Sequence, residues 1–317
     1  MNNLNNEKIA NYIKNSQMNV IDTKDEKEIF IHCFVQECMK YVREAGFIYQ
    51  DYNFHMDYEH QSGIFSSDHK KHLANVKKQA EALGIQFVQA HAPMGKPIAK
   101  GNEVFIEDTK KCIESCAELG IKNIVVHSGY VHKISKEEAF ERNKVFFLEL
   151  LRFAENYDVN VLVENFNIMC VEGLYWIDNA ADLRALIDYV DHPLFHACWD
   201  AGHGNMQETP QDEALRILGE HVYALHVQDN LGSYDSHVAP FCGSLNLDSL
   251  MHGLQDIHYK GYFTFEAGNM LLPASSRRPF EKDKRLVQAP LDLRIKAENL
   301  LYEMGKSILG AYDCFEE

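Results

Sequence analysis

His196-Ala197-Cys198-Trp199-Asp200-Ala201-Gly202-His203-Gly204-Asn205-Met206 is the stretch whose reading decides the fold. With Leu194 and Phe195 before it, the apolar run through Trp199 reads as a buried strand that ends on a carboxylate. Two small residues follow, then an imidazole, and a glycine turns the chain away. A strand that delivers Asp and His into one loop builds a metal site on a rigid edge. Taken by itself, the same pattern also describes an Asp capping the next helix and a solvated or hydrogen-bonded His.

Working outward, the same unit recurs. Upstream lie a helix from about Asn179 to Tyr189, a strand Val159–Glu164 and a helix from about Lys136 to Asn156. Before these come a strand Asn123–His127, a helix closing at Gly120, a strand Gln86–His91, a helix from Ser67-Asp68 to Gly84, and an aromatic strand Phe47–Phe54. Downstream lie a helix Pro210–Glu220, a strand His221–His226, a helix Leu247–Ile257, a strand Gly261–Glu266 and an amphipathic C-terminal helix within 290–317, running from about Pro290 to Leu309. Residues 1–46 give the weakest pattern, with Met18–Asp22 as a candidate first strand and helical spacing from Ile29 to Ala45 closed by Gly46. Residues 269–289 read as a long loop carrying Arg277, Arg278, Lys282, Lys284 and Arg285.

Strand and helix thus alternate about eight times, which predicts an α/β protein with a parallel sheet covered by helices. Eight such units within roughly 300 residues predict a closed (β/α)8 TIM barrel, one domain over residues 1–317. An open doubly wound sheet would bring a Gly-rich phosphate loop after an early strand, and none is present.

Composition narrows the function classes. Asp and Glu number 47 against 31 Lys and Arg, a net charge of −16, so a polyanion meets a repulsive average field. No apolar run approaches the ~20 residues of a membrane span. The start, Met1-Asn2-Asn3-Leu4-Asn5-Asn6, has neither the basic nor the apolar part of a secretion signal. Eight cysteines occur without a CxxC pair, and Cys112 and Cys116 read as free buried thiols in a helix, so a reduced, cytoplasmic setting is expected.

Six of the strands end on a side chain able to ligate a metal: His91, His127, Glu164, Asp200, His226 and Glu266, spaced 26 to 40 residues apart. The carboxyl ends of barrel strands share one rim, so residues this far apart in sequence converge. A carboxylate at the end of a strand as apolar as Val161-Leu162-Val163 must be paired or metal-bound. Glu164, Asp200, His226 and Glu266 give an oxygen-rich site suited to Mn²⁺, Co²⁺ or Zn²⁺. His91 and His127 also read as satisfied core histidines. With His203, the pair Asp235 and His237 would complete a further site or grip substrate hydroxyls, and Asp229 reads equally as part of a polar turn. His221 and His258 are expected at the opposite end, in structural roles. Phe54, His55, Phe166 and Trp176 follow strands, as core or lid packing or as platforms for a sugar face.

Gln89-Ala90-His91-Ala92-Pro93, Val126-His127-Ser128-Gly129, Val163-Glu164-Asn165, Asp200-Ala201-Gly202-His203, Leu225-His226-Val227-Gln228-Asp229 and Phe265-Glu266-Ala267-Gly268 occur in an order that resembles the xylose isomerase-like barrel superfamily, over about residues 47–270. That superfamily contains sugar (phosphate) isomerases and epimerases, inosose dehydratases and the endonuclease IV family. The resemblance implies that Glu164, Asp200, His226 and Glu266 hold a divalent metal. In ketose 3-epimerases the positions matching Glu164 and Glu266 are also the acid/base pair, and the one matching His203 contacts substrate. Those epimerases place an arginine shortly after the strand that ends here at His226, and residues 229–238 contain none. In endonuclease IV the positions matching His91, His127, His203, Asp235 and His237 supply the remaining ligands of a three-zinc cluster.

The expected function is a divalent-metal-dependent isomerase or epimerase of a small ketose or polyol-derived sugar, working by proton transfer through an enediolate, with Glu164 and Glu266 catalytic and His91, His127, His203 and His237 at the substrate. The alternatives are an endonuclease IV-like zinc phosphodiesterase acting on abasic DNA and a sugar or inosose dehydratase. A duplex needs a basic rim. Residues 55–66, 165–178, 201–211 and 229–246 contain no Lys or Arg but offer Asp57, Glu59, Glu172, Asp178, Glu208, Asp229 and Asp235, a mouth suited to a neutral sugar. A barrel that only binds, without turnover, would be expected to lose one of the two glutamates. The expected partners are a small sugar and further copies of the chain in a homo-oligomer, with no nucleic acid and no membrane. The sugar, its phosphorylation and the identity and number of metals stay open at this point.

Overall fold

A computed structural model of the chain describes residues 39–167, 177–268, 271 and 289–315. The candidate strand Met18–Asp22 and nearly all of the 269–289 loop lie outside these residues. Helical residues 39–45 lead through Gly46 into β1 (Tyr49–Asn53), followed by α1 (Phe54–His60) and α2 (His69–Leu83). Then come β2 (Gln86–His91), α3 (Glu103–Leu119), β3 (Asn123–His127), α4 (Lys136–Ala154), β4 (Asn160–Glu164) and α5 (Ala180–Val190). The chain continues through β5 (Phe195–Asp200), α6 (Ala201–Asn205), α7 (Gln211–Leu218), β6 (Val222–His226), α8 (Leu247–Asp256) and α9 (Leu291–Ala311).

The six strands pair in parallel in sequence order, β1 to β6. The sheet is curled into the arc of a TIM barrel: the Gln89 amide on β2 reaches across to the Leu225 carbonyl on β6 at 3.3 Å. Expected and observed elements agree to within a few residues, with one correction. Gly261–Glu266 is not a full strand among the described residues; it meets the sheet in a single parallel bridge, Val227 to Phe265. That bridge falls one residue beyond the end of β6, so the segment runs past its neighbour and only its last residues find a partner.

Side chains alternate across each strand, and this alternation positions the site. The large core lies between sheet and helices, with Ile124, Val161, Val163, Ala197 and Leu225 facing outward into it. Val125, Leu162, Cys198 and Ala224 form a separate small cluster inside the barrel, one residue from each of β3 to β6. Two residues further along each strand, on the same face, stand His127, Glu164, Asp200 and His226. The candidate ligands therefore follow the apolar plug along each strand: His127 is opposite Glu164 and Asp200 is opposite His226, with a two-residue stagger between the pairs, where Glu164 is opposite Cys198. Cys112, Cys116 and Cys198 are buried and free.

Candidate metal centre

Glu164 is the hub. Its Oε1 accepts from His226 Nδ1 at 2.7 Å, while Oε2 lies 3.4 Å from His91 Nε2 and 3.6 Å from His127 Nε2. Glu266, carried in beside the end of β6 by the Val227 bridge, places Oε2 3.4 Å from the same His226 Nδ1. One ligand atom each from Glu164, Asp200, His226 and Glu266 fits within 4.8 Å of all the others. The same holds for His91, His127 and Glu164, for Glu164, Cys198 and His226, and for His203, Asp235 and His237. Glu164 belongs to three of these four groups, and His203, Asp235 and His237 form the fourth.

Both readings of Asp200 apply at once. Its Oδ1 accepts the His203 backbone N–H at 2.6 Å, capping α6, while Oδ2 remains on the cavity side. His203 donates Nδ1–H to the Asn165 carbonyl at 2.9 Å and turns Nε2 to Asp235 Oδ2 at 3.1 Å. His237 donates Nδ1–H to the Glu266 carbonyl at 2.9 Å and approaches Asp235 through Nε2 at 3.2 Å. His91 likewise donates Nδ1–H to the Ala92 carbonyl at 2.7 Å, which leaves Nε2 for Glu164.

Electrostatics separate the groups. Burial works against the Glu164 carboxylate, yet the His226 and His127 imidazoles hold it well below the usual range. Burial pulls His127 down to about 3, the neutral form a metal requires. It pushes Asp200 up to about 7, with Glu266 and Glu164 adding to the rise. Against burial, Asp200 and Asp235 lift His203 to about 10, and Asp235 and Glu266 lift His237 to about 9.

The residues fit a divalent cation. Glu164 Oε2 and Asp200 Oδ2 are fully buried with no hydrogen-bond partner. A stranded carboxylate oxygen costs several kcal/mol unless a cation meets it. Among the described residues no Lys or Arg ion pair reaches Glu164, Asp200, Asp235 or Glu266; their charged neighbours are imidazoles. Three carboxylates and an imidazole make a hard, oxygen-rich donor set, the kind that takes Mn²⁺, Co²⁺ or Zn²⁺.

Several supporting residues were not singled out from sequence. Asn165 and Asp200 bond reciprocally, Asn165 Nδ2 to the Asp200 carbonyl at 3.0 Å and Asp200 N to Asn165 Oδ1 at 2.7 Å. Gln228 Nε2 donates to Asp235 Oδ1 at 2.8 Å and reaches Asp200 Oδ1 at 3.4 Å. Gly202 is required there, since a Cβ would sit 2.1 Å from the Gln228 amide carbon. Asn167 holds the other Asp235 oxygen at 2.9 Å. The sequence signal was position: Asn165 and Gln228 stand one and two residues after strand-end ligands. Asp229 is a loop staple, accepting from the backbone N–H groups of Asn230, Gly243 and Leu245. Phe166 packs between His127 and His203, with ring centroids 5.1 and 4.9 Å away. Phe54 is buried in the core, and His55 accepts the Met94 N–H at 3.3 Å. His221 lies near His196, before β6, and His258 follows α8, both away from the cluster. Trp176 lies outside the described residues.

A parallel sheet wrapped by helices, with ligands gathered on the carboxyl rim, defines a barrel with a candidate metal centre. A family profile described as xylose isomerase-like TIM barrel matches residues 39–288, and the chain belongs to that family. Relatives include the uncharacterized protein MJ1311 of Methanocaldococcus jannaschii, 24% identical over 239 residues, 72% of this chain and 79% of that one. Fructoselysine 3-epimerase of Escherichia coli O157:H7 is 28% identical over 129 residues, 39% of this chain and 44% of that one. Among solved structures, the 3-keto-D-glucoside 4-epimerase YcjR from E. coli superposes with a TM-score of 0.63 at 18% identity, over 85% of this chain and 94% of that one. No helix among the described residues is long and apolar enough to cross a membrane.

Proposed function

We propose that the chain is a metal-dependent isomerase or epimerase of a small ketose or polyol-derived sugar, with Glu164 and Glu266 as its acid/base pair. The observation that carries this reading is the approach of two carboxylates, from β4 and from the segment after α8, to one imidazole nitrogen, His226 Nδ1, at 2.7 and 3.4 Å. Glu164, Asp200, His226 and Glu266 would hold the cation. When bound, a divalent ion supplies a Lewis acid that polarises a substrate carbonyl.

Glu164 and Glu266 both reach His226 Nδ1, from different parts of the chain; one would take the proton from the carbon beside the carbonyl and the other would return one. Each would offer one carboxylate oxygen to the carbon and the other to the cation. Glu266 is the more open, its side chain 33% exposed against 1% for Glu164, which makes it the group that trades protons with solvent. His203 and His237, positioned by Asp235, would grip substrate oxygens. Phe166 would wall the site. The sugar epimerases among the relatives and structural neighbours support a sugar as substrate.

A second reading rests on a specific observation: His91, His127 and Glu164, and His203, Asp235 and His237, are each complete ligand sets. Together with the Glu164, Asp200, His226 and Glu266 group, these sets also suit a zinc phosphodiesterase. The acidic, Lys- and Arg-free mouth loops favour the sugar. The test is exchange of substrate carbon-bound hydrogen with deuterated water, screened over ketoses with metal-loaded protein. Exchange lost in both Glu164→Gln and Glu266→Gln supports the proposal. Cleavage of an abasic duplex without exchange in any sugar overturns it.

A further inference from the structure

The interior layer below the candidate ligands is apolar on one side only. Val125, Leu162, Cys198 and Ala224 fill it from β3 to β6. Among the described residues, the other positions of the layer, on β1, β2 and the segment after α8, are Asp51, Gln89 and Thr264. Asp51 and Gln89 are directly paired in the sheet register. Their side chains form a line: Thr264 Oγ1 donates to Gln89 Oε1 at 3.3 Å, and Gln89 Nε2 donates to Asp51 Oδ2 at 2.9 Å. That Asp51 oxygen stands 3.6 Å from His226 Nε2, and the other, Oδ1, is buried without a hydrogen-bond partner.

The orientation of His226 explains why a carboxylate belongs there. His91, His203 and His237 all anchor Nδ1–H on a backbone carbonyl and turn Nε2 toward the site. His226 is reversed, with Nδ1 toward Glu164 and Glu266 and Nε2 toward the layer below. Its rear nitrogen faces the side chain of Asp51. A metal-ligating imidazole whose second N–H meets a carboxylate is fixed in orientation and made a stronger donor.

We propose that Asp51, braced by Gln89 and Thr264, is a positioning residue for His226, which it orients and strengthens as a metal ligand. At 3.6 Å the contact is an ion-pair distance, and Nε2–H is the atom left to close it once Nδ1 serves a cation. This inference rests on the metal reading of the site given above.

The test is Zn²⁺ affinity by competition with a chelator of known strength, on the full chain, with the thermal midpoint of the metal-free proteins measured in parallel. Asp51→Ala should weaken Zn²⁺ binding by about 10- to 100-fold, Asp51→Asn less, and Gln89→Leu in the same direction. The Nε2–H proton of His226 in the zinc-loaded protein, followed by NMR, should be protected from exchange in the parent and exchange freely in Asp51→Ala. The parent binding Zn²⁺ while Asp51→Ala binds it equally, with Nε2–H still protected, overturns the role of Asp51. Failure of the parent itself to bind Zn²⁺ overturns the metal reading and this inference with it. Should Asp51→Ala not fold, the affinity and Nε2–H exchange of Asp51→Asn decide by the same criteria.

Discussion

Asp200 and His203 are joined twice: the carboxylate accepts the His203 backbone N–H at 2.6 Å through Oδ1, and its Oδ2 stands 3.6 Å from Nδ1 of the same residue. One side chain therefore ends the strand, starts the helix and faces the cavity.

Those duties can be separated. Asp200→Ser keeps an oxygen able to cap α6 but removes the ligand, whereas Asp200→Ala removes both. Both should lose metal affinity, and the alanine variant should be less stable than the serine variant by about 1 kcal/mol, measured by urea unfolding of the metal-free proteins.

Glu164→Gln and Glu266→Gln should each lower proton exchange into substrate by about 10²- to 10⁴-fold, the usual worth of a positioned acid or base. Single-turnover exchange measured by mass spectrometry checks this.

Proton release from His203 and His237 on metal uptake separates the two readings. His203 and His237 are held up to about 10 and 9 by the carboxylates around them, so both are charged at neutral pH. In the zinc phosphodiesterase reading a cation on the His203, Asp235 and His237 set displaces those protons, about two per ion at pH 7, whereas in the sugar reading the two imidazoles keep them. Calorimetric titration in buffers of different ionisation enthalpy gives the count.

The loop that carries Asp235 and His237 depends on Asp229. Asp229→Ala strands the N–H groups of Asn230, Gly243 and Leu245, at about 1–3 kcal/mol for each that stays buried without a partner. KM for substrate should rise, and metal affinity at Glu164, Asp200, His226 and Glu266 should hold, as read from steady-state kinetics and a metal titration.

Asp57 sets a pH dependence away from the centre. Burial raises its carboxyl to about 7, only partly offset by the Ile64 N–H and the Tyr52 hydroxyl. The folded chain thus holds this proton more tightly than the unfolded chain. Its contribution to stability is full below about pH 4 and is lost as the pH rises toward 7. Asp57→Asn should flatten the fall in stability over that window by several kcal/mol. Urea unfolding at pH 4, 5.5 and 7 measures the slope.

The gathering of the candidate ligands was legible because they are the wrong residues for their places: carboxylates and imidazoles closing apolar strands, at the repeat length of one strand–helix unit. Strand Phe195–Asp200 shows the pattern most clearly, with Cys198 and Asp200 on one face and Ala197 and Trp199 on the other. The supports were not legible, since Asn165 and Asn167 are ordinary amides whose partners lie 35 and 68 residues away in sequence, and Gln228 joins Asp235, 7 residues on, to Asp200, 28 residues back. Asp51 was hidden for the same reason, a polar residue in an aromatic strand with no local explanation. Gly261–Glu266 has the composition of a strand and forms one bridge, because pairing depends on how far the neighbouring strand extends.

The level seating of His127 against Glu164 and of Asp200 against His226 has a consequence for assembly. A slip of one residue in either pairing would aim an acid or an imidazole outward among the helices and swing an aliphatic group into the cavity. Only a correctly threaded barrel brings the candidate ligands together, so a metal-binding assay would also report how the sheet closed.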